Sequence, residues 1–354
     1  MILPMKNPNP DVRQRRLLRL GMFGMAAALL GAMLALAWSS LAPSRQPPEK
    51  LVIADASQPA FALIYIAAER GFFRDEGLEV ELKSYALGRD ALNSVIEGKA
   101  DLATVYESPV VRQIYAGANL GIVSTLHTST RNQALLVRKG SNISSVSDLR
   151  GKRIGVSQGT SMEFLLHVLL TTGGVPPSSV VEVNIEPAHY ASAIADGKVD
   201  ALVAFGPHLH ALPEKFGKEL SAVFYSDLYV ETSMLTGLRD NVMAHKAAMP
   251  RLLRALIRAQ AFAKSNSEES QAIVARRLQG RYSEAAVRKG WRALRFDLDL
   301  DNMLLTLLTQ EARWLRDRGV YSSAVPNFSH AIITSFLHDV KPETATLHAV
   351  VTRH

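Results

Sequence analysis

Apolar positions along this chain switch between two periods, and the switch recurs often enough to set the fold class. Residues 51–54 form a short apolar run, residues 61–72 repeat apolar positions at helical spacing and stop at Gly71, and residues 78–82 alternate as a second strand. The same exchange continues with a helix over 90–96, a strand over 102–105, a helix over 109–116, and strands over 120–126 and 134–137. A similar series runs from Arg153 to Tyr225, with helices near 162–170 and 191–195. From Met243 to Gly319 the pattern turns helical, with Leu252, Leu253 and Leu256 on one stripe and Met303, Leu304, Leu307, Leu308 and Trp314 on another. Strands and helices that alternate in this way predict an α/β chain with largely parallel sheets.

One internal likeness divides the chain. The stretch 96–106 recurs over 194–205, with Gly98 matching Gly197, Lys99 matching Lys198 and Asp101 matching Asp200, a constant spacing of 99 residues from the glycine onward. The unit reads as a helix, a glycine able to take the left-handed position that ends it, and a buried strand closing on an aromatic residue. Two copies imply two similar lobes; the competing reading is that this is a common helix-to-strand corner met twice. With two lobes, ligand lies between the C-terminal ends of their strands, where helix N-termini converge. Tyr106, Glu107 and Ser108 then come from one wall, and Phe205, Gly206 and Pro207 from the other.

Length and composition agree with two lobes, since 354 residues with 47% hydrophobic content exceed one ordinary small core. The formal charge of +7 is concentrated at the start, where Lys6, Arg13, Arg15, Arg16 and Arg19 face only Asp11. That leaves +3 for everything beyond residue 42, with no basic stripe for nucleic acid. The chain has no cysteine, which excludes disulfides, thiolate metal sites, a cysteine nucleophile and the lipid-modified cysteine of a lipoprotein. Residues 13–19 are basic, 20–38 apolar, and small residues follow, so 1–42 reads as a signal peptide, cleaved after Ala37, or as an uncleaved membrane anchor. Either way the remainder faces away from the cytoplasm. Arg15 and Arg16 permit a twin-arginine reading, although Leu17 and Leu18 fit it poorly. The proline-rich stretch over 43–50 reads as a linker.

Three runs carry a family resemblance. Ala68, Glu69, Arg70, Gly71, Phe72, Phe73, Arg74, Asp75, Glu76, Gly77, Leu78, Glu79, Val80 is the most recognisable; Leu135 to Lys139 and Asp148 to Val156 follow. Nearly everything after residue 50 resembles the ABC importer binding proteins for nitrate, aliphatic sulfonates and taurine, with their pyrimidine-binding relatives. The resemblance implies a two-lobed type II periplasmic-binding fold, the Venus flytrap, with lobe 1 over 51–135 and 233–354 and lobe 2 over 136–232. The chain would cross near Arg138 and return between Glu231 and Leu235, and the C-terminal helices would pack on the first lobe. It further implies a periplasmic location, a small-molecule solute, ABC permease and ATPase partners, no cofactor, no nucleic acid, and membrane contact only through the permease or an uncleaved N-terminal helix. Where the family often has Trp-Glu-Pro, this chain has Phe205, Gly206, Pro207, and Glu107 stands where a small residue is common. An acidic group has changed sides, which argues against a purely anionic ligand.

The candidate site follows from these positions, each with a plainer alternative. Ser57 and Gln58, ahead of the helix that Phe61 opens, offer hydroxyl and amide groups at the cleft mouth, or Ser57 caps that helix. Gly159, Thr160 and Ser161 present backbone N–H groups at a helix start, suited to a carboxylate or sulfonate, or Thr160 is a cap alone. Tyr106 and Phe205 either sandwich a flat ligand or pack within their lobes. Glu107, unpaired in a closing cleft, would meet a ligand amine, a ring N–H or Arg131, or it is exposed at the rim. His189, His208 and His210 have no acidic third ligand at a metal-site spacing. Gly151 and Lys152 do not make a phosphate loop, and no nucleophile, base and orienter set stands out. The function classes in play are a binding module for a small solute, a sensory receptor for a membrane partner, and an enzyme of the thiamin-pyrimidine branch, whose cysteine motif this chain lacks.

Overall fold

The computed structural model describes residues 47–347; the signal-peptide or anchor reading of 1–42 and the first half of the linker, 43–46, fall outside the described residues. Ten strands form two five-stranded sheets. In chain order the elements of the first half are β1 (Glu49–Asp55), α1 (Ala62–Glu69), α2 (Phe72–Asp75), β2 (Leu78–Ser84), α3 (Gly88–Ile96), β3 (Leu102–Tyr106), α4 (Glu107–Tyr115) and β4 (Leu120–Ser129). The chain then leaves for β5 (Gln133–Arg138), β6 (Arg153–Val156), α5 (Ser161–Thr172), β7 (Val181–Asn184), α6 (Tyr190–Ala195), β8 (Ala201–Phe205), α7 (Gly206–Phe216) and β9 (Leu220–Phe224). It returns through β10 (Glu231–Leu238) to α8 (Arg239–Ala244), α9 (Ala248–Ser265), α10 (Ser267–Arg277), α11 (Glu284–Gly290), α12 (Asn302–Asp317) and α13 (Ser335–His338).

The two sheets share one plan. The first runs β2-β1-β3-β10-β4 and the second β7-β6-β8-β5-β9, so β6, β7, β8 and β9 stand where β1, β2, β3 and β4 do. The antiparallel member of each sheet, β10 in one and β5 in the other, is the strand laid down immediately after a crossing. This is the mixed α/β, two-lobed periplasmic-binding architecture that the pattern and the resemblance imply.

The internal repeat is the corner that builds both sheets. Gly98 and Gly197 have φ of 71° and 63°, a region where a side chain is strained. Each glycine and the lysine after it donate back into the helix they end, Gly98 to Val95 and Lys99 to Ser94, Gly197 to Ile194 and Lys198 to Ala193. The aspartate then clamps the neighbouring strand from both sides. Asp101 donates its N–H to Val52 O and accepts from Val52 N at 2.7 Å, while Asp200 does the same with Arg153, accepting at 2.9 Å. Replacing either aspartate by alanine leaves that strand N–H without its acceptor, and each change is expected to lower stability by about 1–3 kcal/mol. Urea unfolding checks it; an unmoved midpoint for both variants would show that the corner is incidental.

Tertiary contacts adjust the sequence-based boundaries. β1 starts at Glu49 rather than Leu51, because Glu49 pairs with Leu78 of β2 and its carboxylate meets His245 and Arg251, so the last two residues of the expected linker are strand. The expected helix over 61–72 is a 3-10 turn, Pro59–Phe61, followed by α1, a left-handed Gly71 (φ 75°) and the short α2. Helix α9 buries Leu252, Leu253 and Leu256 completely, each worth about 1.5–3 kcal/mol, against α1. Helix α12 lays Leu304, Leu308 and Trp314 inward and packs on α4.

Candidate functional site

Each sheet ends its parallel strands at the same gap, and helices begin there from both sides. The gap contains a small, partly open cavity of about 20 Å³, room for roughly one water. From the first sheet it is lined by Gln58 after β1, by Leu87, Gly88 and Arg89 at the start of α3, and by Tyr106 and Pro109 at the β3–α4 turn. The second sheet contributes Gln133 at the start of β5, Thr160, Ser161 and Met162 at the start of α5, and Phe205 at the end of β8. Gly88 lets α3 approach this closely, since a Cβ there would stand 3.1 Å from Val105 Cα.

Of the residues singled out from sequence, Gln58, Tyr106, Thr160, Ser161 and Phe205 meet at this cavity. Thr160 is also the N-cap of α5, accepting from Met162 N and donating to Ser157 O at 2.6 Å. The Ser161 hydroxyl accepts from Gln133 Nε2 at 2.7 Å, a tie within the second wall. Phe61 packs on Tyr106, ring centroids 5.8 Å apart, without lining the cavity. Ser57 takes a left-handed φ of 44° and donates to Asp55, so it neither caps the helix nor reaches the cavity. The Gly159 N–H is committed to Glu163 Oε2 at 2.6 Å. Pro207 is buried in the first turn of α7, off the lining.

Glu107 departs most from expectation. As the first residue of α4 it is fully buried with its carboxylate turned away from the gap, accepting from the Tyr229 hydroxyl and from Thr232 N. Ser108 beside it donates to Glu311 of α12. Burial, then the charge of Glu311, holds the Glu107 carboxyl well above the usual range, and burial pushes Glu311 up to about 8. Arg131, the expected protein partner of Glu107, instead pairs with Asp227 at 2.6 Å and lies over the Tyr225 ring. His208 is wedged edge-on among Tyr190, Phe205 and Tyr282, and burial lowers its imidazole to about 4.

Charged ties hold the walls together around the cavity. Arg89 on α3 reaches Glu186 at 2.7 Å and the Gln158 carbonyl. Arg112 on α4 meets Glu163 on α5 at 2.6 Å, and Arg318 after α12 meets Glu182 on β7 at 3.1 Å. Arg89, Gln133, Leu87, Gly88, Pro109 and Met162 had not been singled out from sequence. A glycine ahead of an arginine in the turn after β2 was the available signal for Arg89, whereas Gln133 had none. Among the described residues no helix is long and apolar enough to cross a membrane.

Known proteins are similar to this chain in sequence and in architecture. The family model described as NMT1/THI5 like matches residues 58–270. A Brucella abortus (strain 2308) protein named only as a binding protein is 24% identical over 217 residues, 60% of this chain and 66% of its own length. A Bacillus subtilis (strain 168) protein that bears the name of an aliphatic sulfonates-binding protein is 27% identical over 167 residues, 46% of this chain and 50% of its own. The chain thus spans between half and just under two thirds of these relatives. Among solved structures, the alkanesulfonate-binding protein of Xanthomonas axonopodis pv. citri, bound to MOPS, superposes with a TM-score of 0.71 at 20% identity, covering 81% of this chain and 99% of that one.

Proposed function

The chain belongs to the NMT1/THI5-like family, and from that premise we propose that it is the exported solute-binding receptor of an ABC importer, capturing a small organic anion of sulfonate or related type between its lobes. The observation that carries the reading is the cavity itself: helices α3 and α5 begin at it from opposite sheets, and Tyr106 and Phe205 supply apolar wall from each. An anionic end suits the start of α5, where the helix dipole and the Ser161 hydroxyl favour negative charge, and the Arg89 guanidinium is on the same lining. A role in binding rather than catalysis fits the lining, whose polar side chains are amides, hydroxyls and one guanidinium, with no carboxylate or imidazole to act as a general base. The relatives named for sulfonates support the ligand class, and the signal-peptide layout supports a periplasmic location; a permease and an ATPase are the partners that such a receptor would need.

A screen of alkanesulfonates, amino sulfonates and carboxylates against the chain lacking residues 1–42 tests this. At least one should raise the thermal midpoint by mass action, and small-angle scattering with that solute should show compaction as the lobes close. A midpoint that no solute moves, with an unchanged radius of gyration, would reject the receptor reading.

A further inference from the structure

We infer that the solute also carries a neutral N–H donor group, of carboxamide, ureide or lactam type, which the side-chain oxygens of Gln58 and Gln133 receive from opposite walls. This rests on the cleft being the solute site. Gln58 is 2% exposed and Gln133 5%, both line the cavity, and neither Oε1 has a hydrogen-bond partner. Buried amide oxygens are costly to leave unpaired, and two of them at one small cavity are acceptors waiting for donors. The Gln133 side chain is not free to turn away, because its Nε2 is held by the Ser161 hydroxyl at 2.7 Å. Gln58 follows a strand of the first sheet and Gln133 opens a strand of the second, so only the closed cleft offers both oxygens to one ligand.

The charge of the donor follows from what surrounds it. No carboxylate lines the cavity, Glu107 is occupied by Tyr229 and Thr232, and the one charged lining group, the Arg89 guanidinium, is itself paired with Glu186. An ammonium would therefore be buried with no free carboxylate on the lining to pair with it. A neutral amide N–H supplies the donor without that penalty, and its flat shape suits a space walled by Tyr106, Phe205, Leu87 and Met162. The amine that the sequence suggested for Glu107 is replaced by a neutral donor for the two glutamines.

Calorimetric titration of the full-length chain with matched pairs tests the inference. Sulfoacetamide and methyl sulfoacetate share an anion and differ in NH2 against OCH3; malonamide and dimethyl malonate are the neutral counterpart; taurine supplies the ammonium. The amide should bind at least tenfold more tightly than its ester, and more tightly than taurine. In Gln58→Met and Gln133→Met the amide-to-ester ratio should fall to within about twofold, and the parent comparison stands even where a variant does not fold. An amide preference in the neutral pair alone supports the donor inference while refuting the anionic reading. An ester or taurine that binds as well as the amide, or no amide preference in either pair, overturns it.

Discussion

Glu311→Gln should raise stability at about pH 8 and flatten its dependence on pH between about 5 and 8. Glu311 is fully buried on α12, and while Ser108 donates to one of its oxygens, the other has no partner. Burial pushes its carboxyl from 4.5 up to about 8, beside Glu107, which is itself held well above its ordinary value. The folded protein therefore keeps a proton that the unfolded chain releases throughout that interval. Stability falls wherever the folded state binds more protons as pH rises, so this contribution is fully present below about 4.5 and is lost by about 8. Glutamine holds the neutral form permanently and removes Glu311's share of the slope, leaving that of Glu107. At about pH 5 parent and variant should nearly coincide, and at about pH 8 the variant should be more stable by about 2–4 kcal/mol. Urea unfolding at both pH values measures the difference; parallel pH profiles would mean that Glu311 titrates as an ordinary carboxylate.

Arg112→Ala should weaken solute binding by on the order of a hundredfold, although neither Arg112 nor its partner lines the cavity. The Arg112 and Glu163 side chains are 23% and 8% exposed and join α4 to α5 across the gap at 2.6 Å. With Arg112 removed, Glu163 retains only the Gly159 N–H in the closed form. Leaving a buried charge unpaired costs about 3–5 kcal/mol, and opening the lobes hydrates it at once. The penalty therefore falls on the closed state alone and is read as lost affinity. Changing Glu163 to glutamine in the same chain should recover most of the loss, because no charge is then stranded. Affinity within twofold of the parent in Arg112→Ala would show that this pair does not govern closure.

The fold was legible because its determinants are local. A glycine that must be left-handed, an aspartate three positions on and a run of strand formers sit within a dozen residues at Gly98 and again at Gly197. The candidate site was legible only where it too depends on position along a strand. Tyr106 and Phe205 end β3 and β8, and Ser161 begins α5, so their places follow from the alternation. Glu107 was misread because adjacency to a strand end does not say which way the first helical side chain turns. Its surroundings come from Tyr229, Thr232 and Glu311, far along the chain. Gln133 was missed for the same reason, since its meaning lies in Ser161 and in the wall opposite.

The shared plan of the two sheets bears on how the molecule comes apart. Ser129 at the end of β4 and Glu231 at the start of β10 are directly paired neighbours, so the whole second sheet with its helices occupies the place of a hairpin loop. The entropic cost of closing such a loop grows only with the logarithm of its length. A span on the order of a hundred residues in place of two adds about 3 kcal/mol by the (3/2)RT ln n scaling. The first body thus loses little when its inserted neighbour melts. The ties that make unfolding a single event are instead those that cross between the bodies, among them Arg89 to Glu186, Arg112 to Glu163, Arg318 to Glu182 and Lys289 to Glu214, with His208 on Tyr282 and Phe164 on Trp314. Cooperativity of the chain is therefore a property of its closed state, and the opening that admits a solute also uncouples two folding units.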